Sequence, residues 1–95
     1  MRITTKQHQA IKKYFDEIFE RGKIYLFGSR IDDDAKGGDI DLYVMTPKQE
    51  DLIRKKITFL AKLKREIGEQ KIDLLFDRGL DRPIDKKAKS QGILL

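Results

Sequence analysis

The stretch Ile24-Tyr25-Leu26-Phe27-Gly28-Ser29, nine residues from Arg30 to Gly38, and then Asp39-Ile40-Asp41-Leu42-Tyr43-Val44-Met45 decides how this chain is read. It is a short apolar strand, a Gly-Ser turn, a polar connection and a second strand opened by two carboxylates in alternation. Side chains on a strand repeat with period two, so Asp39 and Asp41 point to one face, roughly 7 Å apart along the backbone. Ile40, Leu42 and Val44 then face the other way, toward a core. The short connection favours an antiparallel pair, because a parallel crossover needs a longer one.

Two carboxylates projecting together repel each other, and carboxylates are rarely buried without a partner. A divalent cation resolves that conflict. Ligands that are all oxygen suit a hard ion such as Mg²⁺, which takes one or two carboxylates together with substrate phosphate oxygens. Gly28 tolerates close backbone approach, and a short helical turn beginning at Ser29 would offer amide donors to an anion. Ser29 adds a hydroxyl and Arg30 a guanidinium suited to bidentate phosphate contact. By itself the dipeptide is an ordinary turn; the carboxylates downstream are what turn it into a phosphate contact.

Rival motifs fail on particular residues. A calcium loop from Asp32 would have Asp34 and Gly37 in place, but Lys36 stands at a ligand position and Tyr43 where a bidentate Glu is required. The Walker A pattern is missing, and so is the G-x-S-x-G elbow that would make Ser29 a nucleophile. His8, the only histidine, has nothing near it in sequence to orient it and reads as packed or solvated.

On either side of this stretch the apolar periodicity is helical. Residues 5–21 carry Ile11, Tyr14, Phe15, Ile18 and Phe19 on one face, with Thr4 and Gln7 as a capping box and Gly22 as the residue that ends the helix. A second helix is expected from Thr46-Pro47, capped by Thr46 and Gln49, with Ile53, Ile57, Leu60, Leu63 and Ile67 as its core stripe. Lys71-Ile72-Asp73-Leu74-Leu75-Phe76 is a third strand in which Asp73 interrupts an apolar run. A last helix should start at Pro83 and run to about Ser90. The tail Ile93-Leu94-Leu95 is expected to pack on the chain's own sheet.

Composition bounds the class. Ninety-five residues are expected to form one domain, 1–95, with no room for a separate acceptor-binding domain. The 39% apolar and 39% charged residues belong to a charged but globular chain. No run is long enough to span a membrane, no signal-peptide core is visible, and cysteine is absent, so a cytoplasmic protein is expected. The net charge of +5 admits an anionic partner. The basic residues Arg54, Lys55, Lys56, Lys62, Lys64, Arg65 and Lys71 are nevertheless interleaved with Glu66 and Glu69 and lack aromatics, which favours a solvated face over a nucleic-acid surface.

Gly28-Ser29, the spacer, Asp39-x-Asp41 and the later Asp73 together resemble the signature of the polymerase β-like nucleotidyltransferases, and the short chain resembles the minimal nucleotidyltransferase family. The spacer is one residue shorter than is common there. The resemblance covers roughly the whole chain and implies an α/β (α+β) fold, a small mixed β-sheet covered by helices. It also implies that Gly28 and Ser29, helped by Arg30, bind the nucleoside triphosphate. Asp39, Asp41 and Asp73 would be catalytic and would hold two Mg²⁺ ions, which clamp the attacking and leaving oxygens. Asp73 would also help to deprotonate the acceptor.

Minimal nucleotidyltransferases are commonly the antitoxins of HEPN-domain toxins, so the resemblance implies transfer of AMP from ATP to a hydroxyl on such a partner. Two alternatives stand beside it. One is an antitoxin that neutralises its partner by contact alone; the other, less favoured, is a basic nucleic-acid-binding module, whose binding would depend strongly on salt.

Overall fold

In the computed structural model, which describes residues 3–28 and 39–95, the elements are α1 Thr5–Phe19, β1 Lys23–Phe27, β2 Ile40–Met45, α2 Leu52–Ile67, β3 Ile72–Phe76, α3 Pro83–Gln91 and β4 Ile93–Leu94. They build the expected α+β architecture around a mixed sheet of order β3-β2-β1-β4. β1 and β2 are antiparallel, and β2 and β3 run parallel with α2 as the crossover between them. β4 adds antiparallel to the outer side of β1, and the Leu95 amide donates to the Ile24 carbonyl at 2.9 Å. The apolar tail thus completes the chain's own sheet.

α1 begins as its sequence requires. The Gln7 amide donates to Thr4 Oγ1 at 3.0 Å, and the Thr4 amide to Gln7 Oε1 at 2.8 Å. Ile11, Phe15 and Phe19 are buried, with Tyr14 and Ile18 at their margin. The end differs from expectation. Glu20, at φ 66°, caps the helix after Phe19, while Gly22, at φ 125°, lies against the Met45 carbonyl at the entrance to β1.

α2 departs further. Thr46 and Gln49 do bond locally, since the Lys48 amide donates to Thr46 Oγ1 at 3.3 Å and Gln49 Nε2 to the Thr46 carbonyl at 2.6 Å. These bonds sit in the segment between β2 and the helix rather than at a helix start. The helix begins at Leu52, behind Asp51 in the left-handed region at φ 55°. Leu52, Phe59 and Leu63 are buried, Leu60 and Ile67 flank them, and Ile53 and Ile57 are 75% and 64% exposed. The large ring sets the direction, because Phe59 meets Phe19 edge-on at 5.8 Å. Ile53, one residue on from buried Leu52, is rotated by about 100° out of that contact.

The two sheet faces therefore carry different cargo. Ile40, Leu42, Val44, Ile72 and Leu74 form the main core with α1 and α2. The opposite face holds Phe27, Tyr43 and Ala88, with Tyr25, Leu75 and Ile84 packed against them beneath α3. Among the described residues no helix is long and apolar enough to cross a membrane.

Candidate active site

α3 covers only part of its face. Toward the start of β2 and β3 the same face becomes polar, and register explains how. Asp41 pairs with Asp73 across the two parallel strands. Side chains at paired positions of neighbouring strands project to the same side, with the strands about 4.8 Å apart. Two residues earlier Asp39 stands beside Lys71, whose Nζ is 3.4 Å from Asp39 Oδ2. The result is a two-by-two array with Asp39 and Lys71 in one row and Asp41 and Asp73 in the next.

The structure thus brings Asp41 and Asp73 together and turns Asp39 to a lysine. In the sequence Lys71 is only one more basic residue. The alternation Lys71-x-Asp73 repeats that of Asp39-x-Asp41, but only the register shows that the two pairs are neighbours. Ser29 and Arg30 lie outside the described residues.

Gly28 closes the array from β1. At φ 76° it adopts a conformation that side chains rarely take, and a Cβ built there would lie 2.3 Å from Asp41 Oδ2. The glycine thus leaves the Asp41 carboxylate uncovered. Beyond it opens a groove of about 400 Å³ lined by Phe27, Asp41, Lys56, Asp73, Leu75 and Ile84. Lys56 reaches it from α2 and is a second cation that sequence reasoning assigned to a solvated helix face.

Electrostatics mark Asp41 as the strained member. Burial raises its pKa above the ordinary carboxylate value, and repulsion from Asp73 and Asp39 and a hydrogen bond to the Asp73 carboxyl add to the rise; Lys71 opposes them. Asp41 lacks enough positive charge around it to offset these effects, which is the condition a bound cation relieves.

Next along β2 a network fastens α3 to the sheet. The buried Tyr43 hydroxyl donates to Asp85 Oδ1 at 2.7 Å. Arg82 Nε donates to Asp85 Oδ2 at 2.9 Å, Arg82 Nη2 to Asp85 Oδ1 at 3.1 Å, and the Arg82 amide to Oδ2 at 2.8 Å. Arg82 Nη2 also donates to the Phe76 carbonyl at 3.0 Å, tying the start of α3 to the end of β3. Such a fork satisfies a buried carboxylate with directional, charge-assisted bonds.

Arg82 first, and then Tyr43, hold the Asp85 carboxyl well below the usual range, while burial and then the bond to Asp85 push the Tyr43 phenol up. The signs define a window. Asp85 is depressed in the fold, so its contribution is present above its unfolded pKa near 3.9 and lost as pH falls. Tyr43 is raised, so its contribution is full below about pH 10 and lost as pH rises beyond it. Tyr43→Phe is expected to cost about 1–3 kcal/mol at neutral pH. It should also remove part of the alkaline loss, so that the two melting curves converge above about pH 10. Parallel unfolding temperatures from pH 7 to 11 would show that the hydroxyl is not the titrating element.

Residues 9–95 match the family described as polymerase beta, nucleotidyltransferase. The chain belongs to this nucleotidyltransferase family. No curated protein matches it significantly. Among solved structures, a candidate nucleotidyltransferase from Sulfolobus solfataricus is similar over 99% of this chain and 89% of its own, with 18% identity and a TM-score of 0.45.

For a nucleotidyltransferase the donor set of the array can be tested against a metal. Asp41 and Asp73 supply carboxylate oxygens side by side, Asp41 is short of positive charge, and Gly28 leaves it uncovered. These features fit a hard divalent ion. Among the described residues no group of three or more His, Cys, Asp or Glu is gathered at metal-binding distance, in keeping with Asp39 being drawn to Lys71.

Proposed function

We propose that this nucleotidyltransferase transfers AMP from ATP, with Mg²⁺, to an acceptor hydroxyl on a HEPN-domain toxin, and so acts as the antitoxin of a cytoplasmic toxin–antitoxin pair. The single observation that carries the transferase reading is the pairing of Asp41 with Asp73 beneath the bare backbone of Gly28. Asp39, Asp41 and Asp73 would hold the Mg²⁺ ions, and Gly28, Ser29 and Arg30 the triphosphate. When bound, the metal supplies charge to the phosphate oxygens and acidifies the attacking hydroxyl.

The chain's own residues then have distinct tasks. Asp73 is exposed, so a hydroxyl presented by another macromolecule can reach it. Its carboxylate takes the hydroxyl proton as the acceptor oxygen bonds to the α-phosphorus; the bond from that phosphorus to the β-phosphate's bridging oxygen breaks, and pyrophosphate departs with the electron pair. Asp41 would be a ligand of the cation that faces the triphosphate oxygens, and Asp39, paired with Lys71 in the metal-free chain, would exchange that lysine for the cation. Lys56, in the same groove, is placed to meet anionic phosphate.

The experiment mixes the chain with a HEPN-domain protein, ATP and Mg²⁺, and records intact masses. One added AMP on the HEPN protein, absent with Asp39→Asn, is the expected result. A stable complex without added mass, with Asp39→Asn neutralising equally well, would replace the transferase reading with the contact antitoxin.

A further inference from the structure

We propose that the outward face of α2 pairs with the same face of a second copy of this chain, the two helices running antiparallel about a two-fold axis at Ile57. Ile53 and Ile57 are 75% and 64% exposed, and Ala61, also exposed, continues their four-residue spacing. The three make one i±4 ridge, the surface by which helices most often interlock. Beside the two isoleucines lies an open cavity of about 610 Å³, which Arg54, Thr58 and Arg78 also line. Two large β-branched side chains thus stand in water on one ridge beside that cavity.

The charge pattern says which occupant fits. A two-fold contact needs a patch that is its own complement. Glu50 and Asp51 stand at the start of α2 and Lys64 and Arg65 in its last turn, and the Asp51 side chain caps nothing. Among the described residues none of the four is in an ion pair. Antiparallel pairing centred on Ile57 sets Ile57 against its own copy. Ile53 then meets Ala61 of the partner subunit, four residues either side of the axis, and Glu50 and Asp51, just ahead of the helix, lie at the end where Lys64 and Arg65 of the partner subunit close its last turn. The small alanine receives the isoleucine, opposite charges meet at both ends, and the helix dipoles oppose. A uniformly acidic partner would satisfy Arg54 and Arg78 but face repulsion from Glu50 and Asp51. Asp41 and Asp73 project from the sheet face opposite the core that α2 packs on, with Lys56 reaching their groove from α2.

Sedimentation equilibrium over a concentration series tests this. The wild type should approach twice the chain mass of 11.1 kDa, and Ile53→Glu/Ile57→Glu should remain at the single mass with an unchanged circular dichroism spectrum. Glu50→Lys and Lys64→Glu should each weaken self-association at least tenfold, and mixing the two variants should restore a dimer. A wild type at the single mass throughout overturns the proposal, and so does a dimer indifferent to the isoleucine pair. Failure of the mixed charge variants to associate would overturn the antiparallel register.

Discussion

Asp41→Asn is expected to lower nucleotidyl transfer by at least about 10²-fold while raising the unfolding temperature of the metal-free chain. The two effects share a cause. Burial, the Asp73 and Asp39 carboxylates and the bond to Asp73 all raise the Asp41 pKa in the fold, so ionising it at neutral pH works against folding. Asparagine keeps the shape beside Gly28 and carries no charge, so that opposition disappears. The same neutralisation removes one of two adjacent anionic donors, and with it the charge that would hold a cation against the triphosphate. Melting in EDTA, melting with Mg²⁺ and ATP, and calorimetric titration of Mg²⁺-ATP separate the effects. Ligand should stabilise the wild type and leave the variant almost unmoved. A variant that melts lower in EDTA yet binds and transfers normally would sink the site assignment.

Gly22→Ala should be the most destabilising small substitution, costing about 3–5 kcal/mol of a total that for domains of this kind is roughly 5–15. At φ 125° an alanine is strained before any contact is counted, and its Cβ would stand 2.0 Å from the Met45 carbonyl oxygen and 2.9 Å from the Thr46 Cα. Both obstacles are backbone and cannot turn aside, so β1 would have to leave β2 where Lys23 pairs with Met45. At roughly 4–8 °C per kcal/mol, the unfolding temperature should fall by more than about 12 °C. Gly79→Ala is the control, since Gly79 shares positive φ, at 72°, but has nothing within 4 Å of an added Cβ. It should lose only about 1 kcal/mol. Equal losses at the two positions would show that the close approach at Gly22 is not what the structure describes.

How legible the fold was depended on whether a residue's role is local. The capping box of Thr4 and Gln7, the apolar face of α1, the alternation in β2 and β3 and the start of α3 at Pro83 all follow from neighbours a few positions away. Each appears in the structure as expected. Gly22 did not, because its need for positive φ comes from Met45, across the hairpin. The α2 stripe failed for a similar reason. Ile53 and Ile57 have a core residue's chemistry and spacing, but Phe59 had a ring partner in Phe19 and turned the helix its own way.

The candidate site divides along the same line. Asp39, Asp41 and Asp73 were visible as carboxylates in apolar strands, and Gly28 as a turn residue before them. Tyr43, Arg82 and Asp85 gave no signal, since a buried tyrosine in a strand and an Arg-x-x-Asp at a helix start look ordinary until 2.7 Å separates them. By itself, the sequence determined the strand faces, because alternation is a property of the backbone, and it carried the resemblance to the polymerase β-like nucleotidyltransferases, whose family model matches residues 9–95. Only the tertiary structure decided that Asp41 faces Asp73 while Asp39 faces Lys71, because register between β2 and β3 is set by how α2 packs and not by either strand alone.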